Sequence, residues 1–390
     1  MAILVFNAGS SSLKFKLYER DPGGKVRSSV RGAVVRLGEE AEWEWEAAGT
    51  RERGTAPLRR HGEAAAFALE RLKTAEASIE AIGHRLVHGG EEFTEATRLD
   101  ADAIARLEAL GALAPLHNPP ALEVVRACRE ALGEAVPMFG VFDTAFHAAL
   151  PETAYRYALP DAWVQPHRIR RYGFHGIAHR YMYERYLVLS GRSRARVVSF
   201  QLGHGCSAAA VRDGRPLDTS MGYTPLEGLV MSTRCGDVDP GVILRIAATG
   251  VPTAAIETVL NHASGLLALS GTSADMRTLL AREAQGDARA RLAIDAFCYR
   301  ARKYLGAYLA ALEGADAVLF GGGIGENAPA VRERICAGMA WCGLRLDDAA
   351  NAAAVGRESR ISAEGATLAA YVITVDEEAL IAREVLSLLG

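Results

Sequence analysis

No run in the sequence is apolar for long enough to cross a bilayer, so a helical membrane protein is not expected. The opening Met1-Ala2-Ile3-Leu4-Val5-Phe6 has no basic segment before its apolar stretch and no small-residue cleavage site. It therefore reads as a buried strand rather than a signal peptide. The six cysteines include no C-x-x-C pair and no paired metal-ligand spacing, which points to reduced thiols in a cytoplasmic protein. A net charge of −3 leaves no broad basic field to hold nucleic acid. No segment is of low complexity. The Gly24-Lys25 pair is followed by valine, so no Walker A phosphate loop exists.

What is present is the balance of a soluble globular chain, with 49% hydrophobic and 23% charged residues. At 390 residues it exceeds one ordinary core and suits two domains. Residues 3–7 form a short apolar run, broken by Ala8-Gly9-Ser10-Ser11-Ser12. Leu13, Phe15 and Leu17 then alternate with Lys14 and Lys16, the period of a half-buried strand. Asp21-Pro22-Gly23-Gly24 is the next expected turn. The same design returns later. A strand at 197–200, a turn containing Gly203-His204-Gly205-Cys206-Ser207, a strand at 208–211 and a hairpin turn at Asp213-Gly214 follow one another. Two halves that open alike suggest an internal duplication.

Helical periodicity is clearest at 63–72, 290–312 and 377–389, and strands are expected at 136–142 and 317–320, so the class is α/β. Residues 165–171, with Pro166 and several basic side chains, read as a loop. Residues 51–60, polar and charged, read as an exposed loop.

Several segments carry chemistry. The turn Asn7-Ala8-Gly9-Ser10-Ser11-Ser12 with Lys14 offers backbone N–H groups, hydroxyls and a charge to a phosphate, though an ordinary hairpin has the same pattern. Gly203-x-Gly205-x-x-Ala208 fits the dinucleotide fingerprint formally, but a strand follows it, so that reading is rejected. Phe320-Gly321-Gly322-Gly323-Ile324-Gly325-Glu326-Asn327 is a glycine-rich connection in which backbone could lie flat against a purine or ribose. Asn327 is expected to cap the next helix and Pro329 to start it. Arg85, among small apolar residues, suits a carboxylate with a short tail. Asp143 ends an apolar strand, where open α/β sheets keep their sites. His175 and Arg234 each lie near glycine and could supply the cations that a transferring phosphoryl group needs.

Together and in order, these segments resemble the acetate kinase family. The resemblance runs from Val5-Phe6-Asn7-Ala8-Gly9-Ser10 to Asp376-Glu377-Glu378. It includes Gly83-His84-Arg85, Pro115-Leu116-His117-Asn118-Pro119, Phe142-Asp143-Thr144, Gly173-Phe174-His175-Gly176, Thr224-Pro225-Leu226-Glu227-Gly228, Thr233-Arg234-Cys235-Gly236-Asp237 and Gly323-Ile324-Gly325-Glu326-Asn327. It implies the duplicated ribonuclease H-like fold of actin-like ATPases, with two domains around a cleft. Residues 1–147, completed by a C-terminal helix at 376–390, would form one. Residues 148–375 would form the other, which binds nucleotide and dimerises.

The resemblance also implies a reversible transfer of the ATP γ-phosphoryl group to acetate, with Mg²⁺ or Mn²⁺, ATP or ADP as co-substrate, and a homodimer. Asn7 and Glu377 would be associated with the metal. Ser10, Ser12 and Lys14 would form the phosphate turn. Arg85 would pair with the substrate carboxylate, and Val87, Leu116, Phe174 and Pro225 would enclose its methyl group. Asp143, in an orienting role, would join His175 and Arg234 as the catalytic set. Gln201, Leu202, Gly203, His204 and Gly205, then Asp275, Met276 and Arg277, then Gly323, Ile324, Gly325, Glu326 and Asn327 would bind nucleotide.

A propionate or butyrate kinase is the rival within this class, because a short apolar pocket rejects an added methylene weakly. A nucleotide-binding regulator without catalysis is the rival outside it. One departure is pointed: the family usually has asparagine where His204 stands. A histidine titrating at about 6.5 would make nucleotide affinity fall as pH rises through that region. A neutral ring in a structural hydrogen bond would not.

Overall fold

The computed structural model describes residues 1–20, 26–75, 77–112 and 118–390. The expected turn at Asp21-Pro22-Gly23-Gly24 and the expected pocket residue Leu116 lie outside them. The chain forms two compact units, Met1–Ala148 with Asp376–Gly390, and Ala149–Val375.

The first unit holds eight strands: β1 (Ala2–Ala8), β2 (Ser12–Arg20), β3 (Val26–Val35), β4 (Gly38–Ala47), β5 (Thr50–Leu58), β6 (Ala81–Leu86), β7 (Thr97–Arg98) and β8 (Met138–Phe142). They form one sheet in the order β5-β4-β3-β2-β1-β6-β8-β7. The second unit holds β9 (Arg196–Leu202), β10 (Cys206–Arg212), β11 (Arg215–Thr219), β12 (Ala317–Gly321), β13 (Ser359–Arg360) and β14 (Ala369–Val372), in the order β11-β10-β9-β12-β14-β13.

The two sheets share a design. β1 pairs antiparallel with β2 and parallel with β6, and β6 runs parallel with β8. β9 pairs antiparallel with β10 and parallel with β12, and β12 runs parallel with β14. The orders β3-β2-β1-β6-β8 and β11-β10-β9-β12-β14 are the same path traced twice. This is the duplicated ribonuclease H-like α/β architecture. It is built on the two strand–turn–strand openings seen in the sequence.

β1 is buried along nearly its whole length because it is central and covered on both faces. On one face, Leu4, Phe6 and Ile82 join a core completed by the helices His61–Thr74 and Asn118–Leu132. On the other face lies the helix Glu377–Leu389. A Cβ at Gly83 would come within 2.6 Å of Ile381, so only glycine lets that helix settle on β6. The helix is capped by Asp376, whose side chain accepts from the Ala379 N–H and pairs with Lys16 Nζ at 2.8 Å.

Three expectations need correction. Residues 51–60 are mostly strand: β5 is the sheet edge, its charges facing solvent and pairing across to β4, as Arg51 does with Glu44 at 2.7 Å. An edge strand exposed on both faces loses the apolar alternation that marks a strand, and its charges guard the open edge. Residues 165–171 are not all loop, because the helix Asp161–His167 runs through Gln165 and Pro166. It stops where Arg168 turns left-handed at φ +50°. Asn327 does not cap the helix Pro329–Cys336, although Pro329 starts it. Gly322–Asn327 is itself a short helix, closed by Asn327 Nδ2 donating to the Gly323 carbonyl at 2.9 Å.

Arg332 ties this short helix to the rest of the unit. The side chain is fully buried. It donates to the carbonyls of Gly325, Asn351 and Ala354 and to Asn351 Oδ1, each at 2.8 Å. Burial lowers its pKa to about 10. Arg332→Met would take a charged donor away from three buried carbonyls and the Asn351 side-chain oxygen, leaving Asn351 O only the Ala354 N–H. It should cost about 3 kcal/mol or more, and calorimetry should record a melting temperature lower by several degrees. An unchanged transition would contradict this.

Candidate active site

In the first unit the charged groups gather where the parallel strands end. Asn7 lies beside Arg85 in the β1–β6 register, and Asp143 follows the last residue of β8. The Arg85 guanidinium grips Asp143 through two bonds, Nε to Oδ1 at 3.0 Å and Nη2 to Oδ2 at 2.6 Å. Its Nη1 donates to Asn7 Oδ1 at 3.0 Å. Asn7 Nδ2 in turn donates to Glu377 at 3.1 Å and to Glu378 at 2.8 Å. Burial opposes the Arg85 charge, but Asp143 and Glu377 outweigh it and raise its pKa. Three of the five guanidinium N–H groups are used in these bonds, so two more can serve a substrate carboxylate. Val87, after β6, is half-buried. Glu378 and Lys16, which pair at 3.3 Å, belong to this network but were not among the expected site residues. The adjacent acids Glu377-Glu378 were the available signal.

The neighbouring His84 is a core residue. It lies beside Phe6 with ring centroids 6.0 Å apart, and burial pushes its pKa down to about 3. The serine turn between β1 and β2 is closed by the Gly9 N–H donating to the Ser12 carbonyl at 2.8 Å, and His61 holds the Gly9 carbonyl at 2.7 Å. Ser10 and Lys14 are exposed, and Ser12 is half-buried. The site's oxygen donors, the Asn7 amide and the Glu377 carboxylate, suit a hard cation that keeps water and phosphate oxygens in its shell. Among the described residues no cluster of three or more His, Cys, Asp or Glu side chains could hold an ion without such help.

In the second unit, His175 is the residue before the helix Gly176–Ser190, held left-handed at φ +56°. Such a conformation is rare for a residue with a Cβ and is maintained only where its surroundings fix it. A Cβ built on Gly205 would lie 3.4 Å from the His175 ring and 3.5 Å from the Arg234 guanidinium. Both cationic candidates therefore border one glycine of the β9–β10 turn. Arg234 Nη1 donates to the Pro225 carbonyl at 2.9 Å and approaches Met231 Sδ at 3.7 Å. Among the described residues no carboxylate pairs with Arg234, and burial lowers its pKa. Phe174 is buried.

A cavity of about 820 Å³ opens in the same unit, large enough for a nucleotide. Of the expected nucleotide residues, Gly203, His204, Asp275, Met276, Arg277, Gly323, Ile324 and Asn327 line it. Gln201, Leu202, Gly205, Gly325 and Glu326 are not in its lining. Leu202 is fully buried, and Glu326 turns inward, where its carboxylate accepts from the Gly322 and Val375 N–H groups. Ser232, Leu280 and Val355 join the lining. Leu280, an apolar helix position, and Val355, in an irregular segment, give no sequence signal until the fold is known. Asp275 caps the helix Met276–Ala284. At His204, partial burial and then the charges of Arg234 and His262 push the pKa below 6.5. The expected charge change near 6.5 therefore moves to more acid pH.

Comparison with known proteins places this geometry. Residues 2–383 match the model of the acetokinase family. Acetate kinase from Solibacter usitatus (strain Ellin6076) is 47% identical over 402 residues, covering 98% of this chain and 97% of its own. Acetate kinase from Chloroherpeton thalassium (strain ATCC 35110 / GB-78) is 44% identical over 409 residues, covering 98% of each. Among solved structures, the Porphyromonas gingivalis acetate kinase superposes with a TM-score of 0.91 at 39% identity, covering 100% of both chains. A propionate kinase from Francisella tularensis subsp. tularensis SCHU S4 superposes at 0.92 with 36% identity, covering 98% of both. A chain that matches along its whole length in sequence and in fold belongs to the acetokinase family.

Proposed function

We propose that the chain transfers the γ-phosphoryl group of ATP to acetate, reversibly, giving acetyl phosphate and ADP. One observation carries the reading beyond family membership. Arg234 is a desolvated guanidinium with no carboxylate partner among the described residues, and it borders the same glycine as His175. Desolvating a cation without an anion is costly, and a phosphoryl group removes that cost as its charge develops.

The acceptor needs no strong base, because a carboxylate is already a nucleophile at neutral pH. An acetate oxygen attacks the γ-phosphorus as the bond to the β,γ-bridging oxygen breaks, and the electron pair leaves with ADP. In this reading the two remaining N–H groups of Arg85 hold the acetate carboxylate. Asp143 fixes the guanidinium and so orients the acceptor. Val87, Leu116, Phe174 and Pro225, which the family resemblance assigns to the methyl group, would exclude water around it. Arg234 and His175 donate to the equatorial phosphoryl oxygens. The turn of Ser10, Ser12 and Lys14 holds phosphate oxygens. The cavity bordered by Gly203, Gly323 and Asn327 takes the adenosine. Asn7 and Glu377 would hold Mg²⁺ or Mn²⁺, which when bound neutralises phosphate charge.

The helix Pro240–Ala247 has no buried residue although Val242, Ile243, Leu244 and Ile246 make it apolar, and Leu244 is 71% exposed. An exposed apolar helix of this kind suits a homodimer formed through the second unit. The six cysteines are all free thiols, which suits the cytoplasm. No helix among the described residues is long and apolar enough to cross a membrane.

The direct test is hydroxamate detection of the acyl phosphate, with acetate, propionate and butyrate each crossed against ATP, GTP and pyrophosphate. The highest kcat/KM should belong to acetate with ATP. A preference for propionate would move the chain within its class, and no product with any pair would leave a nucleotide-binding regulator.

Arg234→Ala should lower kcat by roughly 10²–10³-fold while changing the KM for acetate little. A near-normal kcat would remove Arg234 from the phosphoryl site. The second outcome concerns His204. Its pKa lies below 6.5, so the ring is neutral through the neutral range and becomes charged only as pH falls. The KM for ATP should therefore show no break due to His204 between about pH 7 and 8, with tighter binding appearing on the acid side. His204→Asn should remove the acid-side change and leave the neutral range parallel to the parent. A break near 6.5 that the substitution abolishes would contradict the lowered pKa.

A further inference from the structure

We propose that Ser207, His179 and Ser199 are positioning residues that fix the tautomer of His175, so that its Nε2 carries the proton offered to the phosphoryl group. The inference rests on reading His175 as a phosphoryl-facing donor, and it extends that reading to three residues with no assigned role.

The fold brings the four together by simple periodicities. His175 and His179 are four positions apart, the second one turn into the helix Gly176–Ser190. They face the same side, and the His179 N–H donates to the His175 carbonyl at 2.9 Å. Ser199 lies on β9, and Ser207 lies on β10 opposite Gln201. Alternation along the strand and pairing across it put Ser199, Gln201 and Ser207 on one face of the sheet. The contacts are close and continuous. Ser207 Oγ is 2.9 Å from His175 Nδ1 and 2.8 Å from His179 Nε2, and Ser199 Oγ is 2.8 Å from His179 Nδ1. His179, Ser199 and Ser207 are completely buried.

Proton counting then limits the arrangement. The Ser207 hydroxyl has one proton and two lone pairs and sits between two imidazole nitrogens, so it can donate to one ring at most. If it donates to His175 Nδ1, then His179 donates from Nε2 and accepts from Ser199 at Nδ1. The His175 proton is then on Nε2. If instead His175 donates from Nδ1, Ser207 accepts that bond and the neutral His175 ring has no proton on Nε2. A neutral His175 in that state offers Nε2 as a lone pair, which repels a phosphoryl oxygen. The neutral ring can donate only in the first arrangement. The Ser207 hydroxyl acts on the His175 tautomer through its hydrogen bond at Nδ1. It also holds the His175 ring at a residue whose left-handed backbone needs its surroundings to fix it.

The test combines steady-state kinetics with ¹⁵N chemical shifts of the histidine rings in labelled enzyme, the His175 signals being assigned by their loss in His175→Ala. In the parent, the His175 shifts should report one tautomer, with the proton on Nε2. Ser207→Ala should move them to an average of both tautomers and lower kcat roughly 10–100-fold, with the KM values for acetate and ATP within about twofold. Ser207→Thr, which keeps the hydroxyl, should restore the single tautomer and much of the rate. Should Ser207→Ala fail to fold, Ser199→Ala removes the far end of the chain and should shift the same signals in the same direction by less. Unchanged shifts with unchanged kcat in Ser207→Ala would overturn the proposal. A lost rate with unchanged shifts and a lower melting temperature would overturn it too, as a packing effect only. His175→Ala with near-parent kcat would instead sink the phosphoryl-facing reading, while the shifts of Ser207→Ala would still report the linkage on their own.

Discussion

Three arginines removed from bulk water show how the fold handles a desolvated guanidinium. Arg85 is neutralised by Asp143 and held by Asn7. Arg332 is caged by carbonyl and amide oxygens with no carboxylate. Arg234 has the Pro225 carbonyl and a methionine sulfur. The first is a compensated charge and the second a structural tie. The third is a charge left with little compensation, which is costly to fold around unless its position is imposed from elsewhere. Glycines impose it. Gly265, at φ +62°, lies so near this loop that a Cβ would fall 2.2 Å from the Met231 carbonyl and 2.6 Å from that of Arg234. Gly236, at φ +68°, packs as tightly on Leu229. The loop is clamped through its backbone, and the guanidinium is carried in place without a side-chain partner. A group held this way needs little rearrangement when an anion arrives, which is the basis of electrostatic preorganisation.

The sequence made some of this legible and hid the rest for definable reasons. The two strand–turn–strand openings could be read because each alternates cleanly and is broken by small residues. The helix Glu377–Leu389 could be read because its apolar residues recur at helical spacing. Asp143 could be singled out because it ends an apolar strand, Arg85 because it lies among small apolar residues, and His175 and Arg234 because each is a cationic candidate near glycine. β5 was hidden because a charged edge strand mimics a loop. The inward turn of Glu326 was hidden because an acid after glycine reads as a ligand contact, whereas its carboxylate is spent on two backbone N–H groups. Ser199 and Ser207 gave no signal, since a serine in a strand is ordinary until register sets it against a histidine. The spacing of His175 and His179, one helical turn apart, was the visible half of that relation.

The duplication explains why one topology serves two kinds of chemistry. In both sheets the functional segments lie at the ends of the same strands, where parallel sheets keep their sites. In the first unit those ends bear side chains with charge or strong hydrogen-bonding groups: Asn7 at β1, Arg85 at β6 and Asp143 after β8. Their mutual bonds fix each of them. In the second unit the equivalent ends bear glycine. Gly203 follows β9, and Gly321 and Gly322 stand at the end of β12. Gly322 adopts φ +76°, and a Cβ there would come within 2.6 Å of the Leu202 carbonyl. That close approach requires glycine at Gly322, and it brings the β9 turn and the short helix Gly322–Asn327 together at the edge of the cavity that Gly203, His204, Gly323, Ile324 and Asn327 line. A small carboxylate has a charge and two oxygens to recognise, and it calls for the rigid side-chain array. A nucleotide presents a broad, flat surface and calls for bare backbone. On the proposed assignment the two units differ along that line: charged and hydrogen-bonding side chains stand at the strand ends of the first, and glycines at those of the second.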